Sequence, residues 1–265
     1  MRRSLFSVLV VVVASTSLLG SATATATTQP LPVDYVALGD SYASGVGTRT
    51  YDPGSGSCLR SPAAYPELWA GTHEVASFVF EACSGATTEE LLAGQLENLT
   101  AGTDLVTVSI GGNDAGFAQV MLECQVGGPA RCDAAIARAE TFIADQLTVR
   151  LDTAYAAIRE RATSARVLVI GYPQLFEVGP CFTSIDPGHR ARLNGVADQL
   201  AAVTADRAAA ASAEFLDTRA AFTGHRVCAP DPWINGPSFP VQESYHPDVD
   251  GHASAYLPVL VAATG

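Results

Sequence analysis

Apolar residues fall along this chain in two alternating patterns. Tyr35-Val36-Ala37-Leu38, Asp104 to Ile110 and Arg166 to Gly171 are short, nearly continuous apolar runs. Runs of that length predict strands covered on both faces. Glu74 to Phe80 and Glu214 to Asp217 are weaker strand candidates of the same kind. Between them lie segments with helical spacing: Ala63 to Ala70, a start at Thr88 with acids in its first turn, Ala115 to Glu123, Arg190 to Ala213 and Gly251 to about Val261. The clearest period begins at Asp133, where Ile136, Ile143, Leu147, Leu151, Tyr155 and Ile158 recur at spacings of 7, 4, 4, 4 and 3. It predicts one long helix with an apolar face. Strand and helix alternate to the end, which predicts an α/β fold: three αβα layers around a flavodoxin-like parallel sheet of about five strands.

The first residues fall outside that pattern. Arg2 and Arg3 precede an apolar run from Leu5 to Leu19, and small residues follow at Ala22-Thr23-Ala24 and Ala24-Thr25-Ala26. This is the layout of a secretory signal peptide, so residues 1–26 are expected to be removed on export and 27–265 to form the one domain. The apolar run is short and no basic stop follows it, which argues against a stable membrane anchor. All 15 basic residues are arginine; without the first two, the 27 acids leave a net charge of about −14. That charge argues against nucleic acid as the partner. Cys58, Cys83, Cys124, Cys132, Cys181 and Cys228 are even in number, as in disulfide-bonded exported proteins, and six cysteines allow 15 pairings. No Cys-x-x-Cys pair and no calcium-loop spacing is present, so no metal and no cofactor is called for.

Candidate chemistry sits where strands end. Gly39 breaks the first strand and Ser41 follows, beyond its carboxyl end, where open α/β sheets bind their ligands. A helix starting there would present free N–H groups. Gly85 follows the second strand and Gly111-Gly112-Asn113-Asp114 the third, so Ser41, Gly85 and Asn113 should meet on one rim. The spacing around Ser41 is not that of an α/β-hydrolase elbow, because the second glycine is missing. His246 lies in Glu243-Ser244-Tyr245-His246-Pro247, near the end of the chain.

Taken together these blocks resemble the SGNH hydrolases, also called GDSL lipases and esterases. Gly39-Asp40-Ser41, Ser84-Gly85, Gly111-Gly112-Asn113-Asp114 and His246-Pro247 match that family's four blocks in order, across essentially the whole exported chain. The match is closest to secreted lipases of streptomycetes and related actinobacteria. The resemblance implies sequential disulfides, Cys58–Cys83, Cys124–Cys132 and Cys181–Cys228. It implies Ser41 as nucleophile, His246 as base and then acid, and an oxyanion hole of the Ser41 N–H, the Gly85 N–H and the Asn113 amide. Many members carry an aspartate three residues before the histidine, where this chain has Glu243. Streptomycete relatives orient the histidine with a main-chain carbonyl, here that of Ser244, and that is the arrangement expected, with Glu243 its rival.

Neighbouring polar residues are expected to serve the structure. Asp40 is expected to cap its turn, Asp114 to cap the helix after Asn113, and His252 to be structural. Phe117, Val120 and Met121 are expected on the acyl-binding wall. The reading is a secreted, extracellular, monomeric serine hydrolase acting on ester or lipid substrates, with carbohydrate deacetylation or a non-enzymatic binding module as alternatives.

Overall fold

The computed structural model describes residues 32–265. The signal segment read at residues 1–26 lies outside the described residues. Five parallel strands form one sheet in the order β2-β1-β3-β4-β5. They are β1 (Val33–Gly39), β2 (Val75–Phe80), β3 (Leu105–Ser109), β4 (Arg166–Ile170) and β5 (Glu214–Leu216). Every residue of β3 is buried, as its unbroken apolar run requires. Thr107 and Ser109 are the polar exceptions: the Tyr35 hydroxyl of β1 lies 2.7 Å from Thr107 Oγ1, and the Tyr65 hydroxyl lies 3.4 Å from Ser109 Oγ.

The helices are α1 (Ser41–Ser44), α2 (Tyr65–Ala70), α3 (Thr88–Gly94), α4 (Phe117–Val126), α5 (Pro129–Asp145), α6 (Leu147–Arg161), α7 (Pro187–Ala210) and α8 (Leu257–Thr264). α3, α5, α6 and α7 form one connected group, while α2 packs with α8 in another. The expected three-layer α/β architecture is the one observed.

Two helical expectations change. The single long helix from Asp133 is two helices, α5 and α6, broken at Gln146 (φ −124°, ψ −34°). Ile143 and Leu147 flank the break and are both fully buried. A periodic apolar stripe reports which face is covered, not whether the hydrogen-bond ladder is continuous. The two pieces also meet different neighbours, α4 and α7 for α5, α3 and α7 for α6. The C-terminal helix opens as a π-helix, Gly251–Tyr256, before α8. Pro258, in the first turn of α8, has no N–H to donate into the turn before it.

The sheet order positions the functional rim. The chain steps from β1 outward to β2, then crosses back past β1 to β3 and continues in the opposite direction to β4 and β5. The carboxyl ends of β2, β1 and β3 therefore lie side by side at a topological switch point, with β1 in the middle. Gly39 closes β1 at φ +135°, and a Cβ there would stand 2.5 Å from the Ser109 carbonyl oxygen of β3. Only glycine fits that approach. Gln95 locks the same peptide, accepting from the Gly39 N–H and donating to its carbonyl, each at 2.8 Å.

All six cysteines are paired: Cys58–Cys83, Cys124–Cys132 and Cys181–Cys228. The first ties the loop after α1 to the segment that carries Gly85. The second joins α4 to α5.

Candidate active site

Ser41 and His246, 205 residues apart, meet at 2.8 Å between Oγ and Nε2. The other ring nitrogen, Nδ1, lies 3.0 Å from the Ser244 carbonyl oxygen. A carbonyl can only accept, so Nδ1 carries the proton. Nε2 is then the acceptor for the Ser41 hydroxyl, which is the tautomer a general base needs. Both side chains are nearly withdrawn from water, at 6% and 7% exposure. The imidazole ring is flanked by Tyr42 and Phe117, with centroids 4.9 and 5.9 Å away.

The acids take other places. Glu243 is buried and turned away from the imidazole: its Oε1 accepts from the Tyr51 hydroxyl at 2.8 Å, and its Oε2 is 3.4 Å from Arg49 Nε. It contacts His246 only through main chain, its carbonyl accepting from the His246 N–H at 3.4 Å. Glu243→Ala is therefore expected to keep kcat within about tenfold of wild type, while losing about 0.5–1.5 kcal/mol of stability with the hydrogen bond to the half-buried Tyr51 hydroxyl. Ester hydrolysis assayed beside thermal unfolding checks both halves; a loss matching that of His246→Ala would make Glu243 the third member after all.

Asp40 caps α1 as expected, accepting from the Tyr42 N–H at 2.9 Å, and also accepts from the Tyr172 hydroxyl at 2.6 Å. Asp114 does not cap the helix that follows it. Its carboxylate accepts from the Thr88 N–H and hydroxyl at 2.9 and 2.6 Å, so it braces α3 instead. Thr88 follows the Gly85 turn, so Asp114 ties two strand-end segments of the rim together. α1 itself is a single turn. That is too short for a helix macrodipole, so what it offers is local N–H groups rather than an extended field.

Burial drives the His246 imidazole down to about 4, with the Ser244 carbonyl pulling weakly the other way. The base works only when neutral, so activity is lost as pH falls through that value and is held above it. In Asp40→Asn, which removes a carboxyl that burial lifts to about 7, kcat/KM is expected to reach its plateau with an acid midpoint nearer 4 than 6.5. A midpoint at or above 6.5 in a pH–rate profile would contradict it.

The candidate oxyanion donors lie on neighbouring strand ends. Among the described residues, neither the Ser41 nor the Gly85 N–H donates to another main-chain carbonyl. Asn113 Nδ2 donates one hydrogen to the Ala86 carbonyl at 3.0 Å, beside Gly85, which leaves its second hydrogen for a ligand. The Gly112 N–H donates to the Tyr172 hydroxyl at 3.3 Å. Tyr172 thus joins the Asn113 turn to Asp40 and the nucleophile turn.

From Ser41 and Asn113 an apolar groove runs between α4, α5 and α7. Phe117, Val120 and Met121, expected on the acyl wall, line it. Leu193, Val196 and Leu200 of α7 complete it and were not singled out from sequence, although their spacing of three and four carried the signal. Tyr172, Tyr51 and Asn235 were missed as well, since single polar residues in irregular segments carry no period. His252 is buried, its Nδ1 accepting from the Tyr65 N–H at 3.3 Å, the structural role expected.

Known proteins are similar to this chain over most of its length, in sequence and in fold. The model of the GDSL-like Lipase/Acylhydrolase family matches residues 37–254. Lipase 1 of Streptomyces coelicolor is 46% identical over 96% of this chain and 95% of its own length. The crystal structure of the extracellular lipase of Streptomyces rimosus superposes with a TM-score of 0.86 at 48% identity, covering 88% of this chain and 100% of that one. Phospholipase A1 of Streptomyces albidoflavus superposes with a TM-score of 0.84 at 46% identity, over 86% of this chain and 98% of that one.

Proposed function

The chain belongs to the GDSL-like lipase/acylhydrolase family and is a carboxylester hydrolase, and from that premise we propose that it cleaves lipid esters through an acyl-enzyme built on Ser41. The observation that carries the proposal is the relay from Ser41 Oγ to His246 Nε2 and from Nδ1 to the Ser244 carbonyl, at 2.8 and 3.0 Å. Ser41 Oγ attacks the ester carbonyl while its proton passes to Nε2. The carbonyl oxygen becomes an oxyanion held by the Ser41 and Gly85 N–H groups and the Asn113 amide. Collapse of the tetrahedral intermediate expels the alcohol, which takes the proton from Nε2. Water, deprotonated by the same nitrogen, then releases the carboxylic acid and restores the serine.

The groove favours an acyl chain over a sugar. Its lining of Phe117, Val120, Met121, Leu193 and Leu200 offers apolar surface and few hydrogen-bonding partners, so a carbohydrate's hydroxyls would be left unpaired there. A chain seated in it gains roughly 0.8 kcal/mol per buried methylene. We also infer that the protein acts outside the cell, after removal of residues 1–26, and as a monomer. Complete pairing of the cysteines suits an oxidising compartment, and one chain carries every group of the site. Among the described residues no helix is long and apolar enough to cross a membrane.

The deciding experiment is hydrolysis of p-nitrophenyl esters from two-carbon to long acyl chains, with Ser41→Ala and His246→Ala alongside wild type. Rising kcat/KM with chain length, lost in both variants, supports the proposal. A profile that peaks at acetate overturns the lipid assignment.

A further inference from the structure

The segment that delivers His246 has little regular structure. From Asp217 to Asp250 it contains only a 3-10 turn, Val241–Glu243, and two isolated bridges, Val227 with Phe176 and Ile234 with Pro247. Tyr245, next to the histidine, sits at φ +62°, a left-handed conformation that a bulky residue adopts only when held there. Nor does a carboxylate grip the imidazole. Its Nδ1 partner is the Ser244 carbonyl of the same segment, so the ring can be no better placed than the backbone that bears it.

Three side chains connect that backbone to the nucleophile turn. The Tyr42 hydroxyl donates to the Tyr245 carbonyl at 2.6 Å. The Tyr51 hydroxyl accepts from the Gly47 N–H at 3.1 Å and donates to Glu243 at 2.8 Å. Asn235 alone of the three reaches the main chain of His246 itself. The His246 carbonyl accepts twice from Asn235, from its N–H at 2.9 Å and from Nδ2 at 3.1 Å. The second Nδ2 hydrogen goes to the Gly47 carbonyl at 3.0 Å. The Asn235 carbonyl in turn accepts from the Tyr245 N–H at 2.9 Å. Gly47 belongs to the turn that closes α1, where the Val46 N–H donates to the Ser41 carbonyl at 3.0 Å. One path from Ser41 to His246 thus runs through Val46, Gly47 and the Asn235 amide, beside the one from Tyr42 to the Tyr245 carbonyl. Gly47 lies directly against the histidine: at φ +103°, a Cβ there would stand 2.4 Å from the Pro247 carbonyl oxygen and 3.0 Å from His246 Cβ.

We propose that Asn235 is a positioning residue for the reaction, whose side-chain amide clamps the Gly47 and His246 carbonyls together and so sets the Ser41–His246 register. The proposal rests on the Ser41–His246 reading above. Both amide hydrogens are committed to carbonyls, so an aspartate at 235 matches the shape but sets a carboxylate oxygen against two carbonyl acceptors.

The test compares Asn235→Ala and Asn235→Asp with wild type, Ser41→Ala, His246→Ala and Arg159→Ala. Arg159 also donates to main-chain carbonyls, among them those of Ala165 and Ala211 at 2.7 and 3.1 Å, but at the opposite rim of the sheet. Misplacing a reacting group by about 1 Å costs on the order of 100-fold. Asn235→Ala is expected to lose about that much kcat with KM within about threefold, and Asn235→Asp more. The downfield proton signal of His246 Nδ1–H should shift or broaden in both. Arg159→Ala should lose stability with kcat and that signal unchanged. If Ser41→Ala and His246→Ala collapse while both Asn235 variants keep kcat within threefold and an unmoved signal, the clamp is refuted and the dyad stands. If Ser41→Ala or His246→Ala stays active, the dyad reading itself fails.

Discussion

Ser41→Ala folds with its three disulfides intact and loses at least about 10⁴-fold in kcat on any ester that wild type cleaves, and His246→Ala loses nearly as much. The two losses should not add. Ser41 Oγ and His246 Nε2 share one hydrogen bond of 2.8 Å, and each is useless without the other. An unassisted serine hydroxyl is too weak an acid to attack, and a histidine without the serine has no side-chain nucleophile to activate and forms no acyl-enzyme. The double variant should therefore be no slower than Ser41→Ala. What survives is catalysis by the groove and the oxyanion donors alone. The measurement is single-turnover hydrolysis of one activated ester by all three variants, with near-ultraviolet circular dichroism to show that each is folded. A double variant slower by the product of the two losses would mean that serine and histidine act in separate steps.

The groups in this site differ in how legible they are in the sequence. The sheet can be read because β1, β3 and β4 are buried on both faces and so are written as unbroken apolar runs. Strand ends follow from strands, and they place Ser41, Gly85 and Asn113 on one rim. His246 cannot be placed that way. It comes from the irregular stretch after β5, and only the likeness of its block to a known family ties it to Ser41. The break at Gln146 is hidden for the opposite reason: the apolar stripe from Ile136 to Ile158 runs straight through it, because both halves bury the same face. Asp114 reads as a local cap because sequence shows only local partners. Its actual partner, Thr88, is 26 residues away. Tyr172 and Asn235 illustrate the general limit. Tyr172 works through the Gly112 N–H and the Asp40 carboxylate and Asn235 through the Gly47 and His246 carbonyls, all in distant segments, and a main-chain partner leaves no mark on the identity of the residue that supplies it.

That limit bears on the oxyanion hole, where the second large effect is expected. Asn113→Ala should lose about 10²–10³-fold in kcat with little change in KM, and Asn113→Asp more. A ground-state carbonyl gains little from this donor, while the oxyanion of the tetrahedral intermediate gains a charge-assisted bond. The loss therefore falls on the rate and spares binding, which the groove supplies. Aspartate keeps the shape but sets a carboxylate against the developing negative charge. The amide is also held in place from behind. One of its hydrogens goes to the Ala86 carbonyl at 3.0 Å, and the preceding Gly112 N–H is tied through Tyr172 to Asp40, the residue before the nucleophile. Tyr172→Phe should accordingly cost less than Asn113→Ala and in the same parameter, because it loosens the donor without removing it. Steady-state kinetics on one long-chain ester separates these cases. A rise in KM at constant kcat for Asn113→Ala would place the side chain on the bound substrate rather than on the oxyanion, and the hole would then consist of the two main-chain N–H groups alone.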